Sequence, residues 1–159
     1  MLKPIRLGSI ERSLDEADWI ILEAVQEDAR ISFAELGRKG SLSPPSAAER
    51  LRRLEDVGVI GGFHAVVRPE GLGLNMIVFI DLCVKKADYS KVHQTVRHLP
   101  WILECHHVSG RASFLIKAAV PDVASLDALI GHLGQFGETN TSLALSAVVE
   151  RRVFQRSGP

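Results

Sequence analysis

The stretch from Ser43 to Asp56 carries the side chains best suited to recognition chemistry. Ser43 precedes Pro44, a pairing that reads as N-cap and first helical position. A helix advances about 100° per residue. With Ala47 as reference, Leu51 and Leu54 share its face, while Ser46, Glu49 and Arg53 fall opposite. Arg50 and Arg52 lie on the two flanks. Arginine can bond guanine edges, glutamate can accept from cytosine, and serine suits several partners. Pro44 and Pro45 stiffen the helix start, whose free N–H groups suit a phosphate. The same charges also fit an ordinary solvated face. Arg50, near the core edge, is also within reach of an acid such as Asp18 or Glu23.

The preceding elements position this helix. Leu14, Ala17, Ile21, Ala24 and Val25 recur at helical spacing, with Asp15 and Glu16 at the favourable end of the dipole. Ser32-Phe33-Ala34-Glu35 has the form of a capping box, and Gly40 is a natural stop for the short helix that follows. Three helices with a tight second connection predict a helix-turn-helix over 13–60. Val59-Ile60 and Phe63–Val67 flank Gly61-Gly62, so a hairpin, or wing, is expected, with a hairpin or linker over 61–74. Residues 1–12 read as an arm.

Residues 75–159 change character. Strands are expected at Asn75–Val84, Ile102–Val108, Ser113–Val120 and a long final Thr139–Val153. Helices are expected from Tyr89 to Leu99 and from Pro121 to Leu133. The order β-α-β-β-α-β predicts a ferredoxin-like domain. The whole chain therefore reads as α+β, a winged helix-turn-helix followed by a βαββαβ domain.

Formal net charge is zero, and residues 1–70 hold ten basic and twelve acidic side chains. That balance alone argues against nucleic acid. The distribution argues for it: Arg38, Lys39, Arg50, Arg52 and Arg53 face one acid, Glu49, between residues 38 and 53. No apolar run approaches the roughly 18 residues of a membrane span. The first ten residues lack an export signal's apolar core, so a cytoplasmic location is expected. Cys83 and Cys105 then read as free buried thiols. In Glu104-Cys105-His106-His107, neighbouring His106 and His107 point to opposite faces; Cys105 and His107 share one, but two ligands are too few for a closed zinc site. Nucleotide and nucleophile motifs are absent, so neither a cofactor nor enzymatic activity is expected.

The residues Leu14-Asp15-Glu16-Ala17-Asp18, Asp28-Ala29-Arg30-Ile31-Ser32, Leu42-Ser43-Pro44, Glu49–Glu55 and Gly58-Val59-Ile60 resemble the Lrp/AsnC, or feast/famine, regulators. Gly110, Phe114-Leu115-Ile116 and Thr139-Asn140-Thr141 are similar to the family's regulatory domain. The resemblance implies a transcriptional regulator of double-stranded DNA. It implies a homodimer built on back-to-back sheets, often assembling to tetramers or octamers, with paired third helices on half-sites about one turn apart. DNA contacts would fall to Ser43, Pro44, Ser46, Glu49, Arg50 and Arg53. An amino acid or related effector would bind between subunits, near Val108, Gly110, Arg111, Ser113, Thr139 and Thr141. Family members that bind amino acids usually carry aspartate where Ser113 stands, so this position offers a hydroxyl without the charge. Ala47 replaces a commonly larger aliphatic residue. An alternative function is a sensing or assembly module whose helical domain binds a protein partner.

Overall fold

The computed structural model describes residues 14–156. The arm expected over residues 1–12 lies outside them. The chain forms two compact units, one including residues 14–65 and 149–156, the other residues 66–148.

The first unit begins with α1 (Glu16–Glu27). Asp15 caps it by accepting from the Asp18 N–H at 2.9 Å, and the Asp15 N–H donates back to Asp18 Oδ2 at 3.2 Å. The complete capping box is therefore here. Ser32 caps α2 (Phe33–Gly40), but Glu35 does not reach back as expected; its carboxylate takes Arg38 at 2.7 Å. Ser41, with φ 54°, takes the left-handed position expected of Gly40. The third helix, α3 (Pro44–Asp56), starts on Ser43, whose Oγ accepts from Ser46 N–H. Ile21, Leu36, Ala47 and Leu54 are fully buried between the three helices.

The expected hairpin is not formed. The N–H groups of Val59 and Ile60 both donate to Leu54 C=O and so finish α3. Residues 61–68 then run exposed and without regular structure. Alternating apolar residues need a partner strand, and none pairs with this segment among the described residues. The final strand is also shorter than expected. Residues beyond Leu143 leave the sheet, and 149–156 join the helical unit. There Gln26 bonds both N–H and C=O of Phe154, and Arg151 donates to Gln26 C=O.

The second unit holds β1 (Met76–Val84), α4 (Tyr89–Val96), β2 (Ile102–His107), β3 (Phe114–Val120), α5 (Val123–Gly134) and β4 (Gly137–Leu143). The strands form one antiparallel sheet in the order β2-β3-β1-β4, the expected ferredoxin-like topology. β4 ends where it does because its ladder reaches Val78↔Leu143, near the start of β1. Alternation sends Val78, Ile80 and Leu82 to one face with Phe114, Ile116 and Ala118. Val92, Leu129 and Leu133 of the two helices cover that face. The other face carries Ile77, Phe79, Asp81, Leu115 and Lys117, and Phe79 remains 40% exposed.

Gly37 sets the approach of α2 to the turn before α3. A Cβ there would lie 2.6 Å from Leu42 O and 3.3 Å from Pro44 N, both backbone atoms that cannot swing aside. Gly37→Ala is expected to lower stability by about 1–3 kcal/mol, overpacking outweighing alanine's better helix propensity. A urea midpoint unchanged or raised relative to wild type would contradict this.

Candidate nucleic-acid interface and effector turn

Asp18 projects from α1 and has no solvent exposure. Its Oδ1 accepts from Arg50 Nη1 at 2.9 Å and its Oδ2 from Arg53 Nη2 at 2.5 Å. Arg50 also reaches Asp15 at 2.6 Å. Positions three apart on α3 thus converge on one buried carboxylate. Among the described residues, no buried side-chain nitrogen or oxygen lacks a partner. The acid foreseen for Arg50 is present, but Arg53 is drawn to it as well. Arg53 therefore lies on the flank facing α1 and does not stand clear opposite the core. It is still about half exposed, and its guanidinium keeps donors beyond the bonded nitrogen.

Ser43 and Ser46 engage each other, with their hydroxyls 2.9 Å apart. Pro44 is exposed at the helix start. The most outward row of α3 is Pro45, Glu49, Arg52 and Asp56, spaced one and two turns apart and all exposed. Neither Glu49 nor Arg52 has an ion-pair partner among the described residues. The sequence pattern placed Arg52 on a flank and left it out of the contact set. Asp15 was missed as an anchor and Asp18 was foreseen only for Arg50, although the D-x-x-D spacing at a helix start was a readable signal.

The Asp18 N–H, and after it Arg50, hold the Asp15 carboxyl below its ordinary value of 3.8. A depressed folded-state value adds stability above 3.8 that is lost as pH falls through the folded value. Asp15→Asn is expected to flatten that part of acid denaturation, followed by circular dichroism.

In the sheet unit, Val108 to Ser113 form the turn between β2 and β3. Gly110 has φ 130°, which a side chain would strain, although nothing lies within 4 Å of its would-be Cβ. Ser113 is not turned outward. Its hydroxyl donates to Val84 C=O and accepts from Val84 N–H, each at 3.1 Å, while its own N–H donates to Leu82 C=O. The hydroxyl thus serves as an added rung between β1 and β3. Arg111 is exposed, and its C=O accepts from the Cys83 thiol at 3.4 Å. Thr139 and Thr141 pair with Leu82 and Ile80, so β1 separates them from the turn by two strand spacings, roughly 10 Å. The expected effector residues therefore form two groups on either side of β1. Cys83 and Cys105 are free and half buried, and no cluster of three metal-ligand side chains occurs among the described residues. No helix there is long and apolar enough to cross a membrane.

A capped helix pair presenting an exposed third helix, followed by a βαββαβ sheet, defines a helix-turn-helix protein with an appended regulatory domain. Residues 14–55 match the AsnC-type helix-turn-helix domain and residues 77–154 the Lrp/AsnC ligand binding domain. The chain is 33% identical over 135 residues to the HTH-type transcriptional regulator LrpC of Bacillus subtilis (strain 168), covering 85% of this chain and 94% of that protein. It is 37% identical over 146 residues to the leucine-responsive regulatory protein of Escherichia coli (strain K12), covering 90% and 84%. The solved structure of B. subtilis LrpC superposes with a TM-score of 0.82, covering 87% of this chain and 99% of that one. A Neisseria meningitidis regulator, NMB0573, solved in complex with L-Met, superposes with a TM-score of 0.80 at 28% identity, covering 89% and 96%. The chain belongs to the Lrp/AsnC family of transcriptional regulators.

The Asp18 cluster carries an asymmetric prediction. Asp18→Ala frees two arginines that can turn to water, at an expected cost of about 1–3 kcal/mol. Arg50→Ala with Arg53→Ala strands a buried carboxylate, at about 3–5 kcal/mol. Equal or reversed losses in urea denaturation would refute the asymmetry.

Proposed function

We propose that this regulator binds double-stranded operator DNA as a homodimer, with α3 of each protomer in the major groove. The observation that carries this reading is the exposed row of α3, where Glu49 and Arg52 stand without ion-pair partners among the described residues, on a helix whose other two arginines are anchored to Asp15 and Asp18. Arg52 is the side chain best placed to reach a base edge. Arg53 and Arg50 flank it and suit the phosphate backbone, and Ser43, Pro44 and Ser46 set the helix start against it. Pairing of protomers would cover the open sheet face around Phe79 and Leu115, because an apolar sheet face needs a second layer.

The effector is proposed to be an amino acid or related small metabolite bound between subunits at the Val108–Ser113 turn. The L-Met complex of the Neisseria relative and the match of residues 77–154 to a ligand binding domain support this. With the Ser113 hydroxyl committed to Val84, Arg111 and backbone groups of the turn would make the polar contacts. Thr139 and Thr141 would contribute from the far side of β1. The protein is read as cytoplasmic and without catalytic activity or cofactor.

Fluorescence anisotropy against DNA from upstream of the chain's own gene tests the main reading. Affinity should fall steeply with salt, and Arg52→Ala should weaken it about tenfold or more, as loss of a bidentate base contact does. Absence of salt-sensitive binding to any promoter fragment would defeat it. Arg111→Ala should abolish the thermal stabilisation that an amino-acid effector gives.

A further inference from the structure

The edge strand β2 and helix α4 enclose a cleft of about 440 Å³ that the proposed DNA and effector sites do not use. Its volume is within the range of small-molecule sites. Val96, Leu99, Ile102 and Phe114 supply apolar surface, and the half-buried Cys105 thiol lies among them. Burial pushes that thiol's pKa up, so it remains a neutral, weakly polar surface. The polar side is cationic or neutral. Arg97 lines the cleft, is exposed, and has no carboxylate partner among the described residues. His93 and His107 line it too, both packed near 5.4 Å from the Phe114 ring.

The one acid of the lining is Glu104, and its carboxylate is turned to the opposite face of the sheet, where Lys117 holds it. Its Oε1 accepts from Lys117 and its Oε2 contacts His106, each at 3.1 Å. A ligand's ammonium group would therefore find no free carboxylate. We propose that this cleft binds a small monocarboxylate with an apolar body, its carboxylate on the Arg97 guanidinium and its hydrocarbon against Leu99, Ile102 and Phe114. Arginine offers a carboxylate two parallel hydrogen bonds, which fixes the orientation. The same chemistry disfavours amines and gives amino acids no advantage over simple acids. That separates the cleft from the turn, where an amino acid is proposed.

Isothermal titration calorimetry on the full-length protein tests this with 4-methylpentanoate, its neutral amide and 3-methylbutylamine. The acid should bind, while the amide and the amine should bind at least about tenfold more weakly, having lost the charge-assisted pair. Arg97→Ala should weaken the acid by a similar factor, and Arg97→Lys should restore part of it. Arg97 is exposed, so these variants are expected to keep the wild-type melting temperature. No binding of the acid at millimolar concentration, equal binding by Arg97→Ala, or equal binding of the amine would overturn the proposal. Loss in Arg111→Ala with retention in Arg97→Ala would assign the acid to the turn and overturn it equally.

Discussion

One buried carboxylate fixes the geometry of the DNA-facing unit. Asp18 lies where water cannot solvate it, and an isolated charge there would be very costly. Two arginines of α3 and the backbone of Asp15 satisfy it. The cluster also gives α3 a fixed rotation about its own axis, because Arg50 and Arg53 must both face α1. Apolar packing alone resists rotation weakly, since Ala47, Leu51 and Leu54 make a smooth stripe. Ion pairing thereby decides which row of α3 is left facing solvent, and that row is the one holding Glu49 and Arg52.

The same arrangement shows why a net charge of zero says little about the helical unit's surface. Asp15 and Asp18, at the start of α1, are the internal counter-ions of Arg50 and Arg53 on the third helix. Counting charges over residues 1–70 mixes neutralised pairs with free ones and hides what a nucleic acid would meet. The field relevant to binding comes from side chains without partners, such as Arg52 and Lys39.

Features set by local chemistry were legible from the residues. Ser43-Pro44 gave the start of α3 and Gly58 its end, because capping and left-handed φ are short-range demands. The strand order of the second unit could be read because period-two apolar runs alternate with period-3.6 ones. Two local expectations shifted, Glu35 turning to Arg38 and the left-handed stop falling on Ser41, but most of what failed depended on partners distant in sequence. Phe63–Val67 has strand character but no strand to pair with among the described residues, and Thr139–Val153 outruns β1. The direction of Arg53 depended on a residue thirty-five positions earlier. The Ser113 hydroxyl depended on Val84, twenty-nine positions away. A residue's type named its chemistry, and tertiary partners decided whether that chemistry was still available.

The rung made by Ser113 bears on how this branch of the family can change. Its hydroxyl both donates and accepts, so it meets the C=O and the N–H of one residue at once. A carboxylate can only accept, and at this position it would confront the Val84 carbonyl with like charge density. An aspartate could not simply be substituted here; the end of β1 would have to move first. A charge at this position and the tie between the two strands thus exclude each other on the present backbone.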